Sequence, residues 1–288
     1  MRKSISLIFL LLCTIQPVFL QEKNGERKKA QTDWTNSKVS LTVMESLPRV
    51  IIDTKDIEYG GDHTAYNVSE ARNKALSKAK ERSSLQIVKA VENIRLNDEY
   101  LILEKLNDDP SGKFRERFNQ FFFEEKSELK VKFLRDKVAV ESIIPFRGKS
   151  GLLNYLDVEY EREKFPDFRD SRMKEAYTSL IVDARHLDFV PSVFPTIVTE
   201  KGIEIYSKDM VPAKYGIDKG IVQYHKDYKQ AFLDSRAGSK PFFVLALTVA
   251  GKNRTSVSIP TDEAKKLFSS EETKASLKKC NVIILMQD

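Results

Sequence analysis

Cysteine is nearly absent: the 288 residues hold two, Cys13 and Cys280. Cys13 falls in an N-terminal apolar leader, so the mature chain keeps one thiol, and an internal disulfide is excluded. Histidine is almost as scarce. His63, His186 and His225 are too far apart for an HExxH-type site, and a lone thiol excludes thiolate zinc motifs, so no metal is expected. A GxSxG nucleophile elbow is lacking. Gly60-Gly61 has none of the strand-loop-helix context of a phosphate-cradling loop, and no cofactor is expected. Charge of one sign is also in short supply. The formal net charge is +6, and Arg2 and Lys3 leave with the leader, so +6 − 2 = +4 remains. Lys and Arg alternate with Asp and Glu, which is a solvated mixed surface and no nucleic-acid footprint.

A long apolar run is missing too. Ile5 to Leu12 is uninterrupted but far shorter than the ~20 residues of a membrane span. Behind the basic Arg2-Lys3 pair it reads as a secretory signal peptide over residues 1–21, and the chain is expected to be exported. Lipidation of Cys13 is the alternative fate of the leader, although Leu12 is bulky where a small residue is expected. Membrane contact is expected only if Cys13 is lipidated or the leader is retained.

What is present is an ordinary globular composition, 41% hydrophobic and 31% charged, long enough for two cores. Residues 22–47 are polar at first, with Trp34 as their large aromatic, and read as a flexible tether. An α+β domain is expected over 48–158. It starts with a strand at Arg49–Asp53, and a turn at Gly60-Gly61-Asp62 follows. A long helix capped by Ser69 comes next, with Ala71, Ala75 and Ala79 letting it lie close on a sheet. After the breaker Asn107–Gly112, Phe114, Phe118, Phe121 and Phe122 have helical spacing and read as core. Leu129–Leu134 and Lys137–Ile144 are two strands turning at Arg135-Asp136, and a short helix follows at Leu152–Leu156. The polar run Glu159–Arg172 reads as a domain boundary.

A second α+β domain is expected over 173–288, so the fold class is α+β, two small mixed domains, each a short sheet packed by helices. Ser179–Val182 is a buried strand. Thr196–Thr199 and Ile203–Tyr206 form a hairpin around Glu200-Lys201-Gly202, whose glycine supplies the positive φ. Ser207–Gly220 reads as a loop, Val222–Leu233 as a helix and Phe242–Val249 as one continuous strand. Ser256–Ile259 is a further strand, a helix capped by Thr261 follows, and Asn281–Met286 closes the domain. Cys280 reads as a half-buried thiol at the start of that last strand rather than a nucleophile.

The stretch Tyr177-Thr-x-Leu-Ile-Val-Asp-Ala-Arg185, then Pro191, Pro195 and a strand-Gly-strand unit ending at Ile205-Tyr206, resembles a signature of bacterial envelope proteins. These are relatives of flagellar assembly protein T and small surface lipoproteins. Where such relatives are expected to carry glycine, this chain has His186 and Asp188. The resemblance implies an exported non-enzymatic protein of the periplasm or outer-membrane periphery, a structural or assembly factor whose partners are envelope proteins or further copies of itself. A lipid-anchored outer-membrane or peptidoglycan-associated lipoprotein is the alternative within that class.

Asp183, Arg185 and His186, with Asp188, form the densest group of polar side chains. They are the candidate binding residues. At a strand end Asp183 is expected to hold Arg185 and turn amides; an envelope hydrolase centred on Asp183 and His186 is the competing reading, which requires both side chains in one cleft.

Overall fold

The computed structural model describes residues 30–48, 63–124, 128–168 and 175–287. The leader, Cys13, the strand expected at Arg49–Asp53 and the turn at Gly60–Asp62 lie outside the described residues. The fold is α+β, with small sheets packed by helices.

Four strands build the first sheet: β1 (Gln31–Asp33), β2 (Lys38–Ser46), β3 (Glu128–Phe133) and β4 (Lys137–Pro145), all antiparallel in the order β1-β2-β4-β3. The first two correct the expectation of a tether. Val39, Leu41 and Val43 alternate with polar residues along β2, a period-2 pattern that buries one face. Trp34, in the turn between them, packs on Phe146 and Tyr224. The charged flanks masked this alternation.

Helix α1 (His63–Glu92) lies across β2 and β4. Its stripe of Ala71, Ala75 and Ala79 is buried as the spacing requires, and one turn on, Ser83 shares a 2.6 Å hydrogen bond with Ser142 of β4. Glu45, buried on the same face, is neutralised by Arg82 and Lys78. The helix starts at His63, so Ser69 is inside it and is no cap. Helices α2 (Ile102–Asn107) and α3 (Lys113–Phe123) follow, and α3 buries Phe114, Phe118 and Phe121 as expected. Leu152–Asn154 is a single 3-10 turn.

The rest of the chain carries two more sheets. The strands are β5 (Ser179–Asp183), β6 (Ile197–Thr199), β7 (Glu204–Tyr206), β8 (Gln223–His225), β9 (Pro241–Leu245), β10 (Thr248–Ala250), β11 (Ser256–Ile259) and β12 (Val282–Leu285). The helices between them are α4 (Ala213–Lys219), α5 (Tyr228–Leu233), α6 (Thr261–Leu267) and α7 (Glu271–Lys278). One sheet is wholly parallel, β8-β12-β5-β9; the other is mixed, β10-β11-β6-β7, with the expected hairpin β6–β7 turning at Gly202, φ 78°.

Four segments of this half differ from the sequence expectation. Ser207–Gly220 is no bare loop, since it holds a 3-10 turn at Lys208–Met210 and then α4. Val222–Leu233 is not one helix. Asp227, with φ −106° and ψ 130°, breaks it into β8 and α5, and its side chain caps α5 by accepting from the Gln230 amide at 2.9 Å. Phe242–Val249 divides between two sheets: the Ala246 amide still donates to Asp183, while the Leu247 amide donates to Ser258. Thr261 is the first residue of α6 behind Pro260 rather than its cap. Helix α7, opened by Ser270 accepting from the Glu272 amide, had a readable cap signal that the sequence reading passed over.

A single cluster of buried residues extends from Val39 on β2 to Met286 after β12, so the first sheet and the later two share packing. Polar stitches join them as well. Arg147 donates to the Lys219 carbonyl at 2.9 Å and to Gln223 at 2.6 Å, and Gln223 donates to the Thr35 carbonyl at 2.7 Å. Asp98 accepts from the amides of Lys252 and Asn253. The described part of the expected boundary, 159–168, is extended but not loose. Tyr160 packs edge-on to Phe194, and Phe165 stacks on Tyr206.

Candidate functional site

The site of interest follows from the pleat of the parallel sheet. Register places Leu180, Val182, Phe242, Val244, Val282, Ile284 and Tyr224 on one face, and all of them belong to the main core. The other face presents Ile181 and Asp183 from β5, Phe243 and Leu245 from β9, Ile283 and Leu285 from β12, and Gln223 and His225 from β8. Parallel sheets are found with both faces covered, because both read as apolar. Among the described residues the second cover is α5, a helix of six residues that lies over β8 and β12, with Ala237 behind it.

The two ends of this face therefore differ. Ile181, Ile283 and Leu285 are fully buried beneath Ala231, Ala237 and Phe232. Towards β9 the cover given by the described residues thins out. Phe243 is 41% exposed and Leu245 54%, and beside them Tyr228 on α5 is 46% exposed. Tyr228, Phe232 and Phe243 form a ring cluster with centroids 4.6 to 5.9 Å apart, whose outer side meets solvent. Leu233 at the end of α5 and Leu247 just after β9 are exposed as well.

Polar pairs frame this apolar floor at the carboxyl ends of the strands. Asp183 is buried, and both of its oxygens engage Arg185: Oδ1 accepts from the Arg185 amide at 3.1 Å and from Nε at 2.9 Å, and Oδ2 accepts from Nη2 at 2.6 Å. Hydrogen bonds from Arg185, helped by its charge and that of His186 and opposed by burial, hold the Asp183 carboxyl below its ordinary 3.8. On β8, His225 Nε2 meets Asp234 Oδ2 at 2.9 Å, and this bond lowers the Asp234 carboxyl as well. His225 is buried, and its Nδ1 has no hydrogen-bond partner among the described residues.

Of the residues singled out in the sequence, Asp183 and Arg185 form the expected fork, at the edge of the bare surface. His186 is exposed and makes no hydrogen bond to Asp183 among the described residues, although its charge acts on that carboxyl. Asp188 pairs instead with Arg254. It also lines a cleft of about 390 Å³ at the strand carboxyl ends, between the β1–β2 turn with Asp33 and Trp34 and the segment after β12 with Met286 and Gln287. The sequence reading missed His225 and Asp234, because the helix expected over Val222–Leu233 hid a strand end, the usual place for such groups.

Cys280 is buried rather than half-buried, sits at φ 60°, and its thiol is pushed up to about 11 by burial, away from the thiolate form. It borders a second buried polar group below the sheet. There Arg236, lowered to about 10 by burial and the nearby Arg147 charge, donates to the carbonyls of Cys280 and Gly220 at 3.1 Å each and to that of Lys219. These bonds anchor the segments entering β8 and β12. Among the described residues no cluster of His, Cys, Asp and Glu is suited to a metal ion, and no helix is long and apolar enough to cross a membrane.

Residues 179–288 match the model of a bacterial protein family described as the second domain of Treponema pallidum Tp0624. The matched region runs from β5 to the end of the chain, and so contains the parallel sheet, the mixed sheet and the half-covered face. No curated protein matches the chain.

Proposed function

We propose that this chain is an exported, non-enzymatic protein of the bacterial cell envelope, a structural or assembly factor that acts through protein contacts. Its docking surface is the β9 side of the parallel sheet, and the occupant is an amphipathic helix of another envelope protein. One observation carries the reading: an apolar parallel-sheet face whose cover ends at α5, with Phe243 and Leu245 bare beside the Tyr228 ring. A helix laid next to α5 completes the layer that parallel sheets require. The sequence match to a domain that is second in its own protein is in keeping with a module working beside other domains. Kinship with flagellar assembly protein T and the surface lipoproteins, read from Tyr177 to Arg185, belongs to the same proposal. Asp183 supports it further, because a carboxylate with both oxygens on its own Arg185 orders a rim rather than taking a proton from a substrate.

Two measurements test this. Cell fractionation with intact mass should find the protein outside the cytoplasm, shortened at its N-terminus by about 16 to 22 residues; full-length protein in the cytoplasm contradicts export. A photoreactive residue at position 243, introduced in the native cell, should give a defined adduct mapping to the apolar stripe of a helix. The same label at exposed Lys201 should not. Equal labelling from both positions contradicts the docking surface.

A further inference from the structure

The first sheet ends in a strand that stands apart from the rest. β3 runs Glu-Leu-Lys-Val-Lys-Phe from Glu128 to Phe133, and all six residues are exposed. It pairs with β4 alone, and among the described residues no strand pairs with its outer edge. Register sets Leu129, Val131 and Phe133 opposite Ser142, Val140 and Val138, on the face that α1 covers farther in. Over β3 that cover gives out. Leu129 is 44% exposed and Phe133 52%, with Arg72 of α1 over the Phe133 ring as its outermost reach. Glu128, Lys130 and Lys132 occupy the opposite face.

We infer that this edge pairs with β3 of a second copy of the chain, antiparallel about a two-fold axis at Lys130, making one eight-stranded sheet from two four-stranded ones. The sequence of the strand is complementary to itself in that register. Glu128 faces the partner's Lys132 and Lys132 faces the partner's Glu128, which gives two ion pairs across the axis. On the other face Leu129 meets the partner's Val131 and Val131 meets the partner's Leu129, with α1 of each copy flanking the seam. The axis puts Lys130 beside the partner's Lys130, and each of these already has its own Glu128 within 3.6 Å. Moving the axis to Val131 places Lys130 opposite the partner's Lys132 twice, with no carboxylate between them. Charge therefore rejects the Val131 axis, by the rule that opposite charges directly across a ladder stabilise and like charges oppose it; an axis at Leu129 keeps two Glu128–Lys130 pairs but overlaps only residues 128–130 of the strand, so the Lys130 axis joins charge pairing to the longer ladder, 128–132. The seam lies on a different sheet from β9, so it does not depend on the docking surface proposed above.

Sedimentation of the mature chain over a concentration series tests this with three variants on exposed positions. The wild type should reach two chains per particle. Glu128→Lys should weaken dimerisation by about tenfold or more, since it turns both ion pairs into repulsions. Adding Lys132→Glu to it should restore the dimer. Val131→Lys should give monomer with an unchanged melt. A wild-type chain that stays monomeric, because the edge is covered by its own chain or by another protein, overturns the inference. So does a dimer indifferent to Glu128→Lys, or one broken by Leu245→Asp instead, which would place the seam at β9.

Discussion

The antiparallel sheet β1-β2-β4-β3 and the parallel sheet β8-β12-β5-β9 each bury one face, and they differ in what the other face is made of. Behind β2 and β4 the antiparallel sheet shows Ser40, Thr42 and Glu141 around Met44 and the buried Ala139 and Ile143, with Lys130 and Lys132 on β3, and water is a sufficient cover for its polar part. The parallel sheet shows Ile181, Ile283, Leu285, Phe243 and Leu245, for which water is not. A half-covered antiparallel sheet is a finished structure. A half-covered parallel one leaves apolar surface in water, and among the described residues that surface lies on the β9 side.

The largest effect should separate the covered and bare ends of that one face. Ile283→Ala, beneath α5 at full burial, should cost about 2 to 5 kcal/mol of unfolding free energy. Leu245→Ala, on the same face but 54% exposed, should stay within about 0.5 kcal/mol. Denaturant titrations of both variants measure this; similar losses would mean that the β9 end is core and the contrast is wrong.

Next in size is Asp183→Ala. It leaves the Arg185 guanidinium and amide without their acceptor, and with Arg185 partly solvated the loss should be about 1 to 3 kcal/mol. An unshifted melt would remove the structural role of the fork. The pH dependence has a fixed sign. Asp183 and Asp234 both titrate below their ordinary 3.8 in the folded chain, so their contribution is present above that value and disappears as pH falls through the folded values. Asp183→Asn should flatten the acid limb of stability against pH, whereas an unchanged limb would assign it to other carboxylates. The smallest effect is His186→Ala, at an exposed position, which should move stability by no more than about 0.5 kcal/mol. A large drop there would reopen the pairing of His186 with Asp183.

The two sheets also differ in how far the sequence reveals them. Leu129–Phe133 alternates apolar and polar residues and Lys137–Ile144 is rich in β-branched ones, so both strands and the turn between them were legible to within a residue or two. The Asp183–Arg185 fork was legible because a carboxylate at a strand end beside an arginine has few cheaper partners. The continuous run Phe242–Val249 was not resolvable. An apolar string carries no mark at the residue where the backbone leaves β5 for β11. Nor did the run reveal that Phe243 and Leu245 would stay bare, since exposure depends on how far α5 reaches. Trp34 and β2 were hidden by the charged residues around them. Tyr224 and Tyr228 lie four residues apart and imitate a helix, although one belongs to a strand and the other to the next helix.

The central claim is that the bare β9 side binds a partner and is not a defect of the fold, and Leu245→Asp tests it most directly when read two ways at once. The account predicts a melt shifted by no more than about 1 kcal/mol, because the position is exposed and loses little packing. It also predicts that the photo-adduct from position 243 disappears in the cell, because a charge now lies in the seat of the partner helix. A collapsed melt would show that Leu245 belongs to the core, and an adduct that survives the substitution would show that the partner does not lie on this face.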